Sequence, residues 1–101
     1  MMLWAVEIDV RAGPLTDDAA EDLVRALAAQ HVQAAVVTED PRAGTVGARF
    51  HMEATTDTDA RRRGKDALFH ALRVAGLGAD TGWDIVRNLV EQDREEAAAL
   101  S

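Results

Sequence analysis

Between residues 45 and 55 the chain alternates without a break: Val46, Ala48, Phe50, Met52 and Ala54 fall on one side, and Thr45, Gly47, Arg49, His51, Glu53 and Thr55 on the other. Successive side chains of an extended chain point to opposite faces, so this segment is satisfied as a strand with one greasy face and one wet one. A helix would scatter the two sets around its circumference. The same period recurs at residues 3–10, where Trp4, Val6, Ile8 and Val10 oppose Ala5, Glu7 and Asp9. A third strand is expected over the valine-rich residues 32–38, ahead of Glu39-Asp40-Pro41-Arg42-Ala43-Gly44. Asp-Pro and glycine are turn chemistry, and a hairpin into the strand at Thr45 is the natural connection.

Helical spacing fills the gaps. Arg11-Ala12-Gly13-Pro14 breaks the first strand, after which Thr16 is a fitting N-cap with Leu15 before it as a hydrophobic staple. Asp17, Asp18, Glu21 and Asp22 suit the positive end of a helix dipole, and Ala20, Leu23, Val24 and Leu27 form one apolar stripe that ends near Gln30 or His31. Residues 56–59 offer caps for a second helix, with Ala60, Gly64, Ala67, Leu68, Ala71, Leu72 and Ala75 as its stripe and Gly76 or Gly78 as its stop. Residues 83–91 fit two patterns: Trp83, Ile85 and Leu89 alternate like a strand, while Trp83, Val86, Leu89 and Val90 fit a helical stripe. A strand is the better expectation, because it would cover the edge that the first strand otherwise leaves unpaired.

The order strand, helix, strand, strand, helix, strand resembles the ferredoxin-like (βαββαβ) superfold over about residues 3–92. That resemblance implies an α+β domain whose four-stranded antiparallel sheet has order 4-1-3-2, with both helices on one face. Residues 1–92 would then be a single domain and residues 93–101 a charged, alanine-rich tail.

Charge and composition narrow the function. Eighteen acidic against eleven basic side chains give a net charge of -7, which repels a polyanion. The expected open-face positions Ala5, Glu7, Asp9, Arg49, His51 and Glu53 carry no aromatic ring on which a base could stack, so nucleic-acid binding is not expected. With no cysteine there is no disulfide framework, thiol nucleophile or thiolate metal cluster. No apolar run is long enough to span a bilayer, and Met1-Met2-Leu3-Trp4 does not open a targeting signal, so a cytoplasmic location away from membranes is the expectation. Leu3, Ala35, Val37, Val86 and Val90 are expected to point outward as an apolar rim around the charged centre. A homodimer formed through the open sheet face or an edge strand would use such a rim; a monomer wet on one side is the alternative.

Few side chains suggest chemistry. His31, His51 and His70 have no ligand spacing, and neither a metal nor a cofactor is expected. His51 has Arg49 and Glu53 as same-face neighbours and Glu7 across the strand, a pattern that suits an acid/base pair but more commonly reflects solvated cross-strand pairing. Arg61-Arg62-Arg63 and Lys65 crowd the start of the second helix, where Asp57, Asp59 and Asp66 are placed to neutralise them. Asp57-Thr58-Asp59 lacks the glycine and glutamate of a calcium loop and reads as a cap. Trp4 and Trp83 are expected in the core, and Phe69 beside the helix-two stripe is a candidate contact residue.

The segment Asp9-Val10-Arg11-Ala12-Gly13-Pro14-Leu15 resembles the strand-to-helix turn of ACT domains, with glycine and proline in reversed order. The resemblance implies a small anionic effector held by Asp9, Gly13 and Leu15, its carboxylate received by backbone N–H groups at the helix start. Dimeric α+β barrel enzymes, which act without cofactors on small substrates, share the element order but need a pocket with polar groups; here the core face reads Trp4, Val6, Ile8, Val10, Val46, Ala48, Phe50 and Met52. The arginine-bearing phosphate loop of acylphosphatases is not found after the first strand. The reading is therefore a small non-enzymatic interaction or regulatory module, homodimeric, with no catalytic residues. Asp9, Gly13, Leu15, Arg49 and His51 are its candidate ligand-binding positions, and an ACT-like sensor or a cofactor-free barrel enzyme are the rivals.

Overall fold

In the computed structural model, which describes residues 2–11, 16–40, 42–76 and 84–92, the elements run β1 (Met2–Arg11), α1 (Asp17–Ala28), β2 (Gln33–Asp40), β3 (Thr45–Ala54), α2 (Asp57–Val74) and β4 (Ile85–Gln92). All strand pairs are antiparallel and the sheet order is β2-β3-β1-β4, so the chain has the ferredoxin-like fold. The ambiguous segment at residues 85–92 is a strand and pairs with β1, as the uncovered edge required. Leu15, Gly78, Trp83 and residues 93–101, all named above, lie outside the described residues.

Each helix starts as its residues dictate. The Thr16 hydroxyl accepts from the Ala19 N–H at 3.1 Å, and the Thr56 hydroxyl accepts from the Asp59 N–H at 3.1 Å. Gly76, at φ +75°, follows α2 in the left-handed conformation that only glycine adopts freely. His31 takes a similar conformation (φ +61°) after α1. Helix α1 stops at Ala28, and residues 29–31 form a turn.

The core lies between the sheet and the helices. Trp4, Val6, Ile8 and Val10 from β1 meet Val46, Ala48, Phe50, Met52 and Ala54 from β3 on one face, all buried, so Trp4 and Phe50 share the surface their spacing assigned them. Helix α1 contributes Leu23 and Leu27, and α2 contributes Ala60, Ala67, Leu68, Ala71 and Leu72. Gly64 is the point of closest approach: a Cβ there would stand 2.7 Å from Val6 Cγ1 and 3.6 Å from Phe50 Cζ. One amide ties the helices together, since Gln30 Nε2 donates to Ala67 O (2.8 Å) and Ala26 O (3.2 Å). At the far end Trp4 Nε1–H donates to Ala54 O at 3.1 Å, which satisfies the one polar atom of a buried indole.

The outer strands depart from the expected parity. Gln33 pairs with His51 but Val36 pairs with Arg49, three residues on β2 against two on β3, so β2 carries a one-residue bulge. Ala34 inside it has φ +54°. The bulge reverses the alternation: Val37, opposite Ala48, and Ala35 pack against the core, while Val36 faces out at 50% exposure. A second shift lies in β4 between the partners of Asp9 and Val10. Leu89 there stands opposite Glu7 on the open face at 45% exposure, and Val90 stands opposite Val6 and packs against the core. Of the expected outward rim, Ala35, Val37 and Val90 are therefore corrected to Val36 and Leu89, while Val86, at the β4 irregularity, is exposed and Leu3 is half-buried at one end.

Candidate functional site

The open face of the sheet gathers three of the five candidate residues. Asp9, Arg49 and His51 occupy successive rungs of the β1–β3 ladder, opposite Gly47, Glu7 and Ala5 respectively. Gly13 and Leu15 lie outside the described residues.

Five rungs of the β1–β3 ladder lie on this face; the two outermost pair Leu3 with Glu53 and Arg11 with Thr45, and the three between them extend across all four strands. The central one reads Val36, Arg49, Glu7, Leu89 across β2, β3, β1 and β4. Toward the Asp40 end the next reads Thr38, Gly47, Asp9, Arg87, and on the other side lie Gln33, His51, Ala5 and Glu91. Charge is thus interleaved both along and across the strands. Glu7 sits between two arginines, 3.5 Å from Arg49 Nη2 and 3.9 Å from Arg87 Nη2. Such exposed pairs contribute little to stability, about 0.2–1 kcal/mol each. Asp9 leans over Gly47: a Cβ on that glycine would stand 2.5 Å from Asp9 Oδ1 and 3.0 Å from Thr38 Oγ1. The missing side chain is what lets the carboxylate lie flat against the sheet. On both flanks of the central rung the polar surface gives way to an exposed aliphatic side chain, Val36 on β2 and Leu89 on β4.

Other candidates resolve into local structure. Asp59, third residue of α2, accepts from the Thr55 N–H and hydroxyl, each at 3.2 Å, and pairs with Arg62 and Arg63 at 3.0 Å. The Thr55 backbone hydrogen bond, opposed in part by desolvation and reinforced by the two arginines, lowers its pKa from 3.8 to about 2. Two of the three consecutive arginines are thereby neutralised within one helical turn. Phe69 is half-buried against the core, and His31 and His70 are exposed. On the helix side, Ala20, Val24 and Val37 line a shallow open groove of about 480 Å³ with Glu21 and Arg25 at its rim. Among the described residues no three His, Asp or Glu side chains converge on one point as metal ligands would, and no helix is long and apolar enough to cross a membrane.

Alternation in the sequence does not reveal Val36 and Leu89 as members of this face. The bulge that exposes Val36 leaves no mark in hydropathy, and Ala34 lacks the glycine or asparagine that would have signalled a left-handed residue. No protein-family model matches this chain, and no curated protein matches it.

Proposed function

We propose that this protein is a small non-enzymatic interaction module of the cytoplasm that works as a homodimer, pairing through the open face of its sheet. The observation that carries the proposal is the pair of exposed aliphatic side chains, Val36 and Leu89, at the two ends of a rung whose middle is the Arg49–Glu7 pair. Protein interfaces bury apolar side chains and leave charge at the rim, so the support for a covered surface lies in the two aliphatic side chains and not in the polar centre between them. Four strands spaced about 4.8 Å apart and about 25 Å long present roughly 500 Å² in projection, and the accessible area of a side-chain-bearing face exceeds that. Full coverage comes near the ~800 Å² per partner of a specific interface. The helix-facing core, whose buried residues among those described are apolar or glycine and which Asn88 Oδ1, opposite Ile8, enters as a buried polar atom, supports a filled interior over a catalytic pocket. The face shows no aromatic ring at its described positions, and the net charge is -7, both of which weigh against nucleic acid.

Light scattering at micromolar concentration is expected to give twice the mass of one chain. Val36→Asp combined with Leu89→Asp should return the mass of a single chain while the circular dichroism spectrum is unchanged, because both side chains point away from the core. A single-chain mass for the unaltered protein at those concentrations overturns the proposal.

A further inference from the structure

The geometry points to one arrangement of two copies: we infer that the open faces stack about a two-fold axis running parallel to the strands between β1 and β3. In that arrangement β2 of one protomer covers β4 of its partner, and β3 covers the partner's β1. The inference rests on the homodimer reading above and adds its register.

Two sheets packed face to face are related by a two-fold axis lying in the interface plane, and when the strands of the two sheets are aligned that axis lies close to the strand direction or close to its perpendicular. An axis along the strands exchanges columns and keeps rungs. On the central rung Val36 then meets the partner's Leu89, and Arg49 meets the partner's Glu7, each contact occurring twice by symmetry. The two Arg49–Glu7 pairs close into a ring of four alternating charges. On the next rung Thr38 meets the partner's Arg87 and Gly47 meets the partner's Asp9; on the other side Gln33 meets the partner's Glu91 and His51 the partner's Ala5. The Asp9 carboxylate, lying over its own Gly47, then approaches the partner's Asp9, and one rung beyond His51 Leu3 meets the partner's Glu53, so the complementarity is that of the central rung.

An axis across the strands keeps columns and exchanges rungs. Placed on the central rung it sets Arg49 on the partner's Arg49 and Glu7 on the partner's Glu7, and like charges opposed in an interface are strongly unfavourable. Moved half a rung toward Asp9 it sets Glu7 on the partner's Asp9; moved the other way it sets Leu89 on the partner's Glu91. On the central rung the Arg49 and Glu7 charges are thus complementary about an axis along the strands and set like on like about one across them, whereas Val36 and Leu89 find an aliphatic partner about either axis.

The chain has no cysteine, so thiols can be introduced singly. Val36→Cys and Leu89→Cys variants, one carrying a tag and each first checked for dimer mass by light scattering, are treated with a short bismaleimide alone and as an equimolar mixture. The mixture should yield a covalent tagged–untagged dimer, with mixed pairs making up about half of all dimers, and neither variant alone should cross-link. Cross-linking of either variant with itself, or a dimeric protein with no cross-link in any sample, overturns the register but leaves the dimer standing. A single-chain mass for the unaltered protein removes the dimer reading itself. Should a cysteine variant dissociate, charge exchange tests the same register. A single chain carrying both Glu7→Arg and Arg49→Glu should still self-associate but exclude the unaltered chain, since in a mixed pair each charge of the central rung then faces its like; an axis across the strands requires the reverse. Mixed pairing with the unaltered chain, or failure of the double variant to self-associate, overturns the inference.

Discussion

Gly64 sets how closely α2 rides on the sheet. Its would-be Cβ overlaps Val6 Cγ1 at 2.7 Å, so Gly64→Ala forces the helix outward or Val6 off its rotamer. Overpacking of this kind costs about 1–3 kcal/mol, against about 1 kcal/mol gained in helix propensity. A net loss of about 1 kcal/mol is expected in urea unfolding, and an unchanged or raised midpoint would refute the close approach. Asp59 makes a different prediction. Its folded pKa of about 2 lies below the ordinary 3.8, so its contribution is fully present above pH 4 and is lost as pH falls from about 4 toward 2. Asp59→Asn should lower stability at pH 7 and flatten that acid limb of the stability profile; a variant whose acid limb matches the unaltered protein's would show that the Thr55 and arginine contacts do not form in solution.

The elements themselves were legible wherever a periodic pattern met a chemical stop. Thr16 and Thr56 cap the helices, Gly76 ends the second, and the unbroken alternation around Phe50 fixes the central strand and its neighbour. What escaped was parity in the outer strands, because one extra residue in a strand reverses every side chain beyond it while leaving composition untouched. On β2 that residue falls beside Ala34, an alanine held at φ +54°. The left-handed conformation costs a non-glycine residue about 1–2 kcal/mol, whereas glycine loses about 0.5–1 kcal/mol to unfolded-state entropy. Ala34→Gly should therefore stabilise the protein by about 0.5–1 kcal/mol in chemical denaturation, and a loss of stability would mean that the bulge sits elsewhere. Of the candidate site, the charged centre at Asp9, Arg49 and His51 was readable from alternation alone, and the aliphatic flanks at Val36 and Leu89 were not.

For the whole molecule, the layer of helices covers one side of the sheet and leaves the other exposed, so a partner that covers the bare side couples folding to association. A homodimer's thermal midpoint depends on protein concentration, because dilution favours the separated, unfolded chains. A tenfold increase in concentration should raise the midpoint by roughly 3–6 °C for a domain of this size; a midpoint independent of concentration would mark a folded monomer. The Val36→Asp and Leu89→Asp pair should abolish this dependence without altering the helix–sheet core.

Both margins of the sheet are spoiled for strand addition. Irregular pairing bends β2 near Ala34 and β4 near Val86, so neither presents the straight row of free N–H and C=O groups that another chain could extend. Growth sideways into fibrils is thereby discouraged at each border, so the proposed pairing of bare faces would close the assembly at two molecules, with no place for a third.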